Sequence, residues 1–531
     1  MKKWITLITM ALAMFIIVID TTIMNVSISA LIVDLNTTVV GVQSAISIYA
    51  MVMAALMLIG SRLADILGAK RVFIIGLLIY GLGTTIASLS INLPMLVVGW
   101  SVMEGVGAAL MIPTLQVLVR RSYQGEDLAF AYGIIAAVAA VGAAVGPIVG
   151  GFFTTYISWR WAFRTELVIV IIVVILARYL AADKRAEKRP QFDYLGALLS
   201  VLAWSSIVLG ILLTQEYGFF LAKKPFMLGN VALAPFGLSI APVMVGFGLI
   251  MVILLLQWQE RLERLGKDGL FQPSVLKTPG LKRGITVRFL QMAIMAGFLY
   301  IFPLILQLGF DYTAMQTGVA LMPFSLSLLV MAILGSKLSS RFFANRIIAV
   351  GFILAVLGLL AFAASIQPGI TASELALGAL FGVGVGLINS QILNLILSSV
   401  PPEQTAQTSG LNSTFEQLGN AIGVALVGTV VMMALLAAAQ EGVNQSTILP
   451  PETQVAVASA IEHGVRLVSD QEMEAGLIQA GVDASIIQEV IAIYDLARTQ
   501  AFKAGASLLV FFSILGLLLS FQLPKRKLVS S

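Results

Sequence analysis

The groups in this chain best able to do chemistry are carboxylates and amides set inside otherwise apolar runs. Asp20, Glu104 and Glu166 stand in such runs, and Asn412, Glu416 and Asn420 recur at one-turn spacing in another. A charged carboxylate at mid-bilayer costs about 2.5–3.5 kcal/mol on insertion scales, so an acid kept there is paired, protonated or in contact with water. Such acids can bind and release protons or meet a cationic guest. For Asp20 a structural role within its own helix stands beside this, since Thr21, Thr22 and Asn25 are close by. Glu166 and Glu374 fall near the ends of their runs, where water is at hand, and Arg288 lies a turn or two from one membrane face, where it would snorkel. The Asn412–Glu416–Asn420 stripe either lines a cavity or joins helices.

Other chemistries find no residues. The chain has no cysteine and a single histidine, His463, so disulfides, thiolate metal sites and histidine sites have no ligands and no metal centre is expected. There is no G-x-x-x-x-G-K-[ST] loop for a nucleotide. A membrane-embedded enzyme would need clustered His, Asp or Ser-His-Asp residues near one face, so the chain does not read as an enzyme.

The elements that must position these acids are membrane helices. Hydrophobic residues make up 59% of the 531, charged residues 11%, and the mean hydropathy is +0.98, so water is not the main solvent. Apolar segments fall near 5 to 32, 41 to 63, 72 to 90, 94 to 119, 128 to 156, 161 to 181, 194 to 214, 235 to 257, 284 to 307, 314 to 336, 346 to 366, 373 to 399, 409 to 437 and 503 to 523. Fourteen transmembrane helices and an all-α fold are expected. The first segment carries Asp20 and no cleavage site follows it, so it reads as a retained helix. The net charge of +5 does not point to nucleic acid, because the cations sit in short loops rather than one patch. Placing both termini in the cytoplasm puts 24 of the 32 lysines and arginines inside, as the positive-inside bias requires.

Two loops repeat. Gly60-Ser61-Arg62-Leu63-Ala64-Asp65-Ile66-Leu67-Gly68-Ala69-Lys70-Arg71 follows the second segment, and Gly335-Ser336-Lys337-Leu338-Ser339-Ser340-Arg341-Phe342-Phe343-Ala344-Asn345-Arg346 follows the tenth. Glycine, serine, leucine, alanine and arginine coincide at matching offsets. The expected organisation is a six-helix bundle over 1–183, two inserted helices with a linker over 184–280, and a second six-helix bundle over 281–531 with a long extracytoplasmic loop at 438–501. That loop alternates polar and apolar residues, which suggests short amphipathic helices.

Four motifs carry a resemblance. The Gly60 loop is similar to G-x-L-A-D-R-x-G-R-R, keeping Leu63, Ala64, Asp65, Gly68, Lys70 and Arg71 and departing at Ser61, Ile66 and Ala69. The fifth segment holds Gly142-x3-Gly146-Pro147-x2-Gly150-Gly151, with glycines along one helix face and a proline that bends the helix. Ile19-Asp20-Thr21-Thr22-Ile23-Met24-Asn25-Val26 resembles L-D-x-T-I-V-N-V, and Ser101-Val102-Met103-Glu104-Gly105-Val106-Gly107-Ala108-Ala109 resembles R-x-x-Q-G-x-G-A-A. Together with Trp159-Arg160-Trp161-x-Phe163 and Phe192-Asp193-Tyr194-x-Gly196, these resemble the fourteen-helix drug:proton antiporter branch of the major facilitator superfamily, over nearly the whole chain.

The resemblance implies proton-coupled export of amphipathic, cationic small molecules by alternating access. It implies a monomer in the cell membrane with no cofactor beyond the proton gradient. Asp20 and Glu104 would line the central cavity, where a cationic substrate would compete with the proton. Asp65 and the cations after it would latch helices on the cytoplasmic side. The fifth-segment glycines mark export rather than uptake. Two departures matter: Ser101 stands where the branch carries its proton-linked arginine, and Glu104 where it carries glutamine. Export of lipids or other amphiphiles with weaker proton coupling remains the alternative reading.

Overall fold

The computed structural model describes residues 2–181, 191–228, 231–233, 237–339, 341–367, 378–401, 404–451, 454, 457, 467–479 and 482–525. The basic stretch Lys184 to Arg189, Glu374 and His463 lie outside the described residues. Thirteen described helices are long and apolar enough to cross a membrane. In chain order the helices are α1 Lys2–Val26, α2 Val39–Leu67, α3 Ala69–Ser88, α4 Leu93–Ser122, α5 Gly125–Tyr156, α6 Arg160–Ala177 and α7 Tyr194–Tyr217. There follow α8 Ile240–Arg264, α9 Pro279–Gly309, α10 Ala314–Gly335, α11 Ala344–Ser365, α12 Gly378–Leu397, α13 Thr405–Gln445 and α14 Ala484–Ser520. Helix α6, the sixth of the fourteen expected segments, is the one outside the thirteen. Its 18 residues carry three charged side chains, Arg160, Arg164 and Glu166, more than any other span holds in its apolar stretch of that length.

Capping residues explain several starts. Thr38 accepts from the Gly41 N–H before α2, and Asn92 accepts from Met95 N–H before α4, whose Pro94 suits the first turn. Thr313 and Gln316 form a reciprocal capping box at α10. Between α2 and α3 the chain turns at Gly68 with φ 97°, a left-handed value that costs a glycine little. Between α7 and α8 a hairpin pairs β1 Phe226–Leu228 with β2 Val231–Leu233 antiparallel.

Two expectations change. The first segment is not one helix to 32: α1 ends at Val26, and a short helix Ile28–Asp34 follows a break at Ser27. The outer segment 438–501 is not a loop throughout. Helix α13 runs on to Gln445 and α14 starts at Ala484, with a short helix Asp470–Gln479 between them. The physical reason is mutual burial, since Leu435 and Ala439 of α13 are buried in the same core as Tyr494, Ala497 and Ala501 of α14.

Neighbour relations repeat along the chain. Helices α2 and α3 pack on α4 as α10 and α11 pack on α12. Likewise α1 packs on α5 and α6 as α9 packs on α13 and α14. Helices α7 and α8 pack on each other, and α7 also lies against α2 and α13. Contact between the two sets runs through α2 with α13 and α5 with α10. At its centre Gln43 of α2 donates to the carbonyls of Val424 and Ala425 at 3.3 and 3.2 Å. Its own oxygen accepts from Tyr300 and from Gln215 of α7, each at 3.1 Å.

Candidate functional site

Helices α1, α4 and α6 bring Asp20, Glu104 and Glu166 together. One carboxylate oxygen from each lies within 4.8 Å of the others. All three acids are buried, at 1%, 0% and 2% exposure. Trp100 donates its indole N–H to both Asp20 oxygens, at 3.0 and 2.9 Å. Tyr49 of α2 stacks on the Trp100 ring, with centroids 5.2 Å apart and planes 11° from parallel. The carboxylate oxygens of Glu104 and Glu166 have no hydrogen-bond partner among the described residues, and neither do the buried hydroxyls of Tyr49 and Tyr80.

The local backbone explains the convergence. Residues Val97–Glu104 of α4 form a π-helical stretch, in which Trp100, Ser101 and Glu104 are all buried. Such wide turns are found at functional sites because they re-aim side chains without ending the helix. Gly99 and Gly83 let α3 and α4 approach closely: a Cβ on Gly99 would sit 2.7 Å from Ala87 N, and one on Gly83 would sit 2.8 Å from Glu104 Cγ. Ser101, where the resembling branch has arginine, donates to the Ala45 carbonyl at 2.8 Å and ties α4 to α2. The start of α6 is anchored by the Trp159-Arg160 motif. Trp159 donates to Asp34 at 2.7 Å, Arg160 pairs with Asp34, and Arg160 donates to the Ser90 carbonyl at 2.7 Å. Glu166 follows within two turns of that anchor.

Three sequence expectations are corrected here. Glu166 does not face water but completes the buried cluster. Asp20 is not the partner of its neighbours: Thr21, Thr22 and Asn25 donate to carbonyls of their own helix, and Trp100 serves Asp20 instead. Arg288 does not snorkel. It is 9% exposed, pairs with Glu416 at 2.9 Å, and donates to Gln291 and Asn389 at 2.9 and 2.6 Å. Asn412 is buried with its amide oxygen unpartnered, while Asn420 donates to Gln417 at 3.1 Å. The α13 stripe therefore divides between an ion pair to α9 and amides with spare acceptors.

The fifth-segment motif sits at two interfaces. Gly142, Gly146 and Gly150 face α1, where added Cβ atoms would meet Val18, the Thr22 hydroxyl and Ile23 Cα. Gly151 points to α10 instead: its Cβ would lie 2.6 Å from the Ala314 carbonyl oxygen, and Gly318 of α10 packs in return on the Pro147 carbonyl. The double glycine thus serves one contact within the first set of helices and one across to the second. That division follows from the 100° step between neighbouring residues, a signal the motif spacing already held.

In the Gly60 loop, Asp65 lies 3.9 Å from Arg62 of its own helix, and Arg62 pairs with Asp268 at 3.1 Å. Lys70 donates to the carbonyls of Arg178 and Leu180 past the end of α6, at 3.0 and 2.6 Å. Arg71 is exposed. Gly60 itself packs on the Ala109 carbonyl of α4, and its counterpart Gly335 packs on Ser390 of α12.

A largely helical chain with many spans and acids buried among them defines a multi-pass membrane protein. The sequence model described as Major Facilitator Superfamily matches residues 10–424, and this chain belongs to that superfamily, as a membrane transporter. It is 26% identical over 478 residues to a probable actinorhodin transporter of Streptomyces coelicolor, covering 88% of this chain and 79% of that one. It is 29% identical to the cephamycin export protein CmcT of Amycolatopsis lactamdurans, covering 79% and 83%. It is 26% identical to the multidrug resistance protein Stp of Mycobacterium tuberculosis, covering 85% and 80%. Among solved structures, a bacterial homologue of the human lysosomal transporter Spinster matches with TM-score 0.61 at 14% identity, over 99% of this chain and 98% of that one. A D-xylose–proton symporter matches with TM-score 0.55 at 11% identity, over 80% and 90%. These structural likenesses establish the fold.

Proposed function

We propose that this transporter exports amphipathic, cationic small molecules in exchange for protons, by rocking residues 1–183 against 281–531 with α7 and α8 inserted between them. The supporting observation is the buried cluster of Asp20, Glu104 and Glu166, three acids with no lysine or arginine paired to them among the described residues. Groups so placed demand a neutralising charge, and a proton is the smallest. With their oxygens within 4.8 Å, the acids leave room for a proton or a bare ion but not for a drug-sized guest. Proton and substrate therefore bind at separate places. The substrate lies between the halves, where Glu416, whose side chain is 27% exposed, offers a carboxylate edge to a cation.

Export fits the names of the relatives that match along most of the chain, and the α5 glycines that pack on α1 and α10. The proposed orientation, with both termini cytoplasmic, rests on the distribution of basic loops, and the cell membrane and monomeric state rest on the resemblance.

The test is substrate-induced proton release from purified protein in detergent, with a panel of cationic and neutral dyes. Asp20→Asn and Glu104→Gln should each reduce release, and the double variant should abolish it. Unchanged release in the double variant would remove both acids from coupling and leave Glu166 and Glu416 to be tested. Dye transport in proteoliposomes under an imposed pH gradient checks the direction.

A further inference from the structure

The acid cluster has more oxygen donors than proton binding needs. The hydroxyls of Tyr49 and Tyr80 are buried, at 2% and 0% exposure, and lie beside Asp20 and Glu104 respectively, without a well-aligned hydrogen bond among the described residues. Five side chains from α1, α2, α3, α4 and α6 thus bring oxygen atoms to one buried place, where the Trp100 indole N–H also meets Asp20. Absent cysteines and a lone histidine led the sequence to imply no metal centre, because donors from five distant segments meet only in the fold.

We propose that Asp20, Glu104 and Glu166 hold one hard divalent cation of calcium size, with the Tyr49 and Tyr80 hydroxyls completing its oxygen shell. Three arguments converge. All-oxygen donors select hard cations over zinc or copper. Three atoms within 4.8 Å of one another have a common point no more than about 2.8 Å from each, close to the 2.3–2.6 Å of calcium–oxygen bonds. A divalent ion leaves one negative charge on three carboxylates, which one proton neutralises, whereas a monovalent ion leaves two. Magnesium demands near-ideal octahedral geometry at about 2.0–2.1 Å and keeps several of its waters, whereas calcium accepts an irregular oxygen shell.

The inference concerns the same cluster as the coupling proposal but stands apart from it, because metal binding is read without transport. The experiment titrates CaCl2 into chelator-treated, full-length protein in detergent and follows heat of binding and melting temperature. One saturable equivalent and a calcium-dependent rise in melting temperature are expected, with neither NaCl nor MgCl2 at matched ionic strength reproducing the rise. Glu104→Gln and Glu166→Gln should each weaken binding at least about 10-fold, while Glu472→Gln, an exposed acid of the outer segment, should bind as wild type does. Without calcium the two cluster variants should melt at or above wild type, since each removes like-charge repulsion. Absence of saturable calcium binding, binding unchanged in both cluster variants, or an equal rise with sodium would each overturn the proposal.

Discussion

The indole of Trp100 shares one N–H between the two oxygens of Asp20, at 3.0 and 2.9 Å, and so ties the middle of α4 to α1 inside the first set of helices.

Replacing it tests that tie. Trp100→Phe keeps a ring to stack on Tyr49 but loses the donor, and a hydrogen bond to a charged group contributes about 1.5–3 kcal/mol. Melting of the purified protein should occur several degrees lower. In an Asp20→Asn background the same change should cost less, because the two side chains are directly coupled. Additive losses would show that the ring, not the N–H, stabilises the site.

The α5 glycines separate two functions. Gly146→Leu, whose side chain would run into Thr22, should abolish transport while folded protein remains in the membrane. Gly151→Ala pushes on the backbone of Ala314 and Met315 of α10. It should reduce disulfide cross-linking between Thr155→Cys and Met315→Cys, positions joined in the native protein by a 2.9 Å hydrogen bond. Normal transport by the Gly146 variant would refute the packing role.

For the Gly60 loop, Asp65→Asn should lower turnover more than it raises KM, since a latch changes conformational populations rather than the binding surface. Lys70→Ala should do the same by freeing the carbonyls of Arg178 and Leu180. Initial-rate transport assays at varied substrate concentration separate the two parameters. A pure KM effect would count against a latch.

The Arg288–Glu416 pair gives a fourth expectation. Arg288→Met leaves a partly buried carboxylate without its cation, which costs up to about 3 kcal/mol; the 27% exposure of Glu416 keeps the loss at the low end of the range for buried pairs. The double variant with Glu416→Gln should recover most of that stability. Thermal unfolding of both variants measures it.

The helical membrane fold and the superfamily were legible because bilayer thickness forces long apolar runs; of the fourteen expected segments, thirteen are long and apolar enough to span among the described residues. The acids were also visible singly, as charges in apolar runs. What one dimension hid was their meeting. Glu166 looked wet because its helix had barely begun, yet the Asp34–Arg160–Trp159 anchor places that start against α1. The π-helical stretch in α4 carries no sequence mark beyond ordinary apolar residues and Gly99. Arg288 looked free because its partner lies more than a hundred residues away. The outer segment misled for another reason: α13 and α14 are amphipathic there toward each other, and a stripe covered by a partner helix reads in sequence like one facing water.

That helix pair has a mechanical side. At about 1.5 Å per residue, the 41 residues of α13 reach about 60 Å, twice the hydrocarbon thickness of a bilayer. Its far tip is braced by α14, so the proposed rocking would carry it with the second bundle. A tilt of about 10° at the near end would sweep the tip through about 10 Å. Under that proposal the projection is a lever arm, turning small rocking inside the membrane into displacement in bulk water, where a label near Val443 would follow it or a bound antibody would jam it.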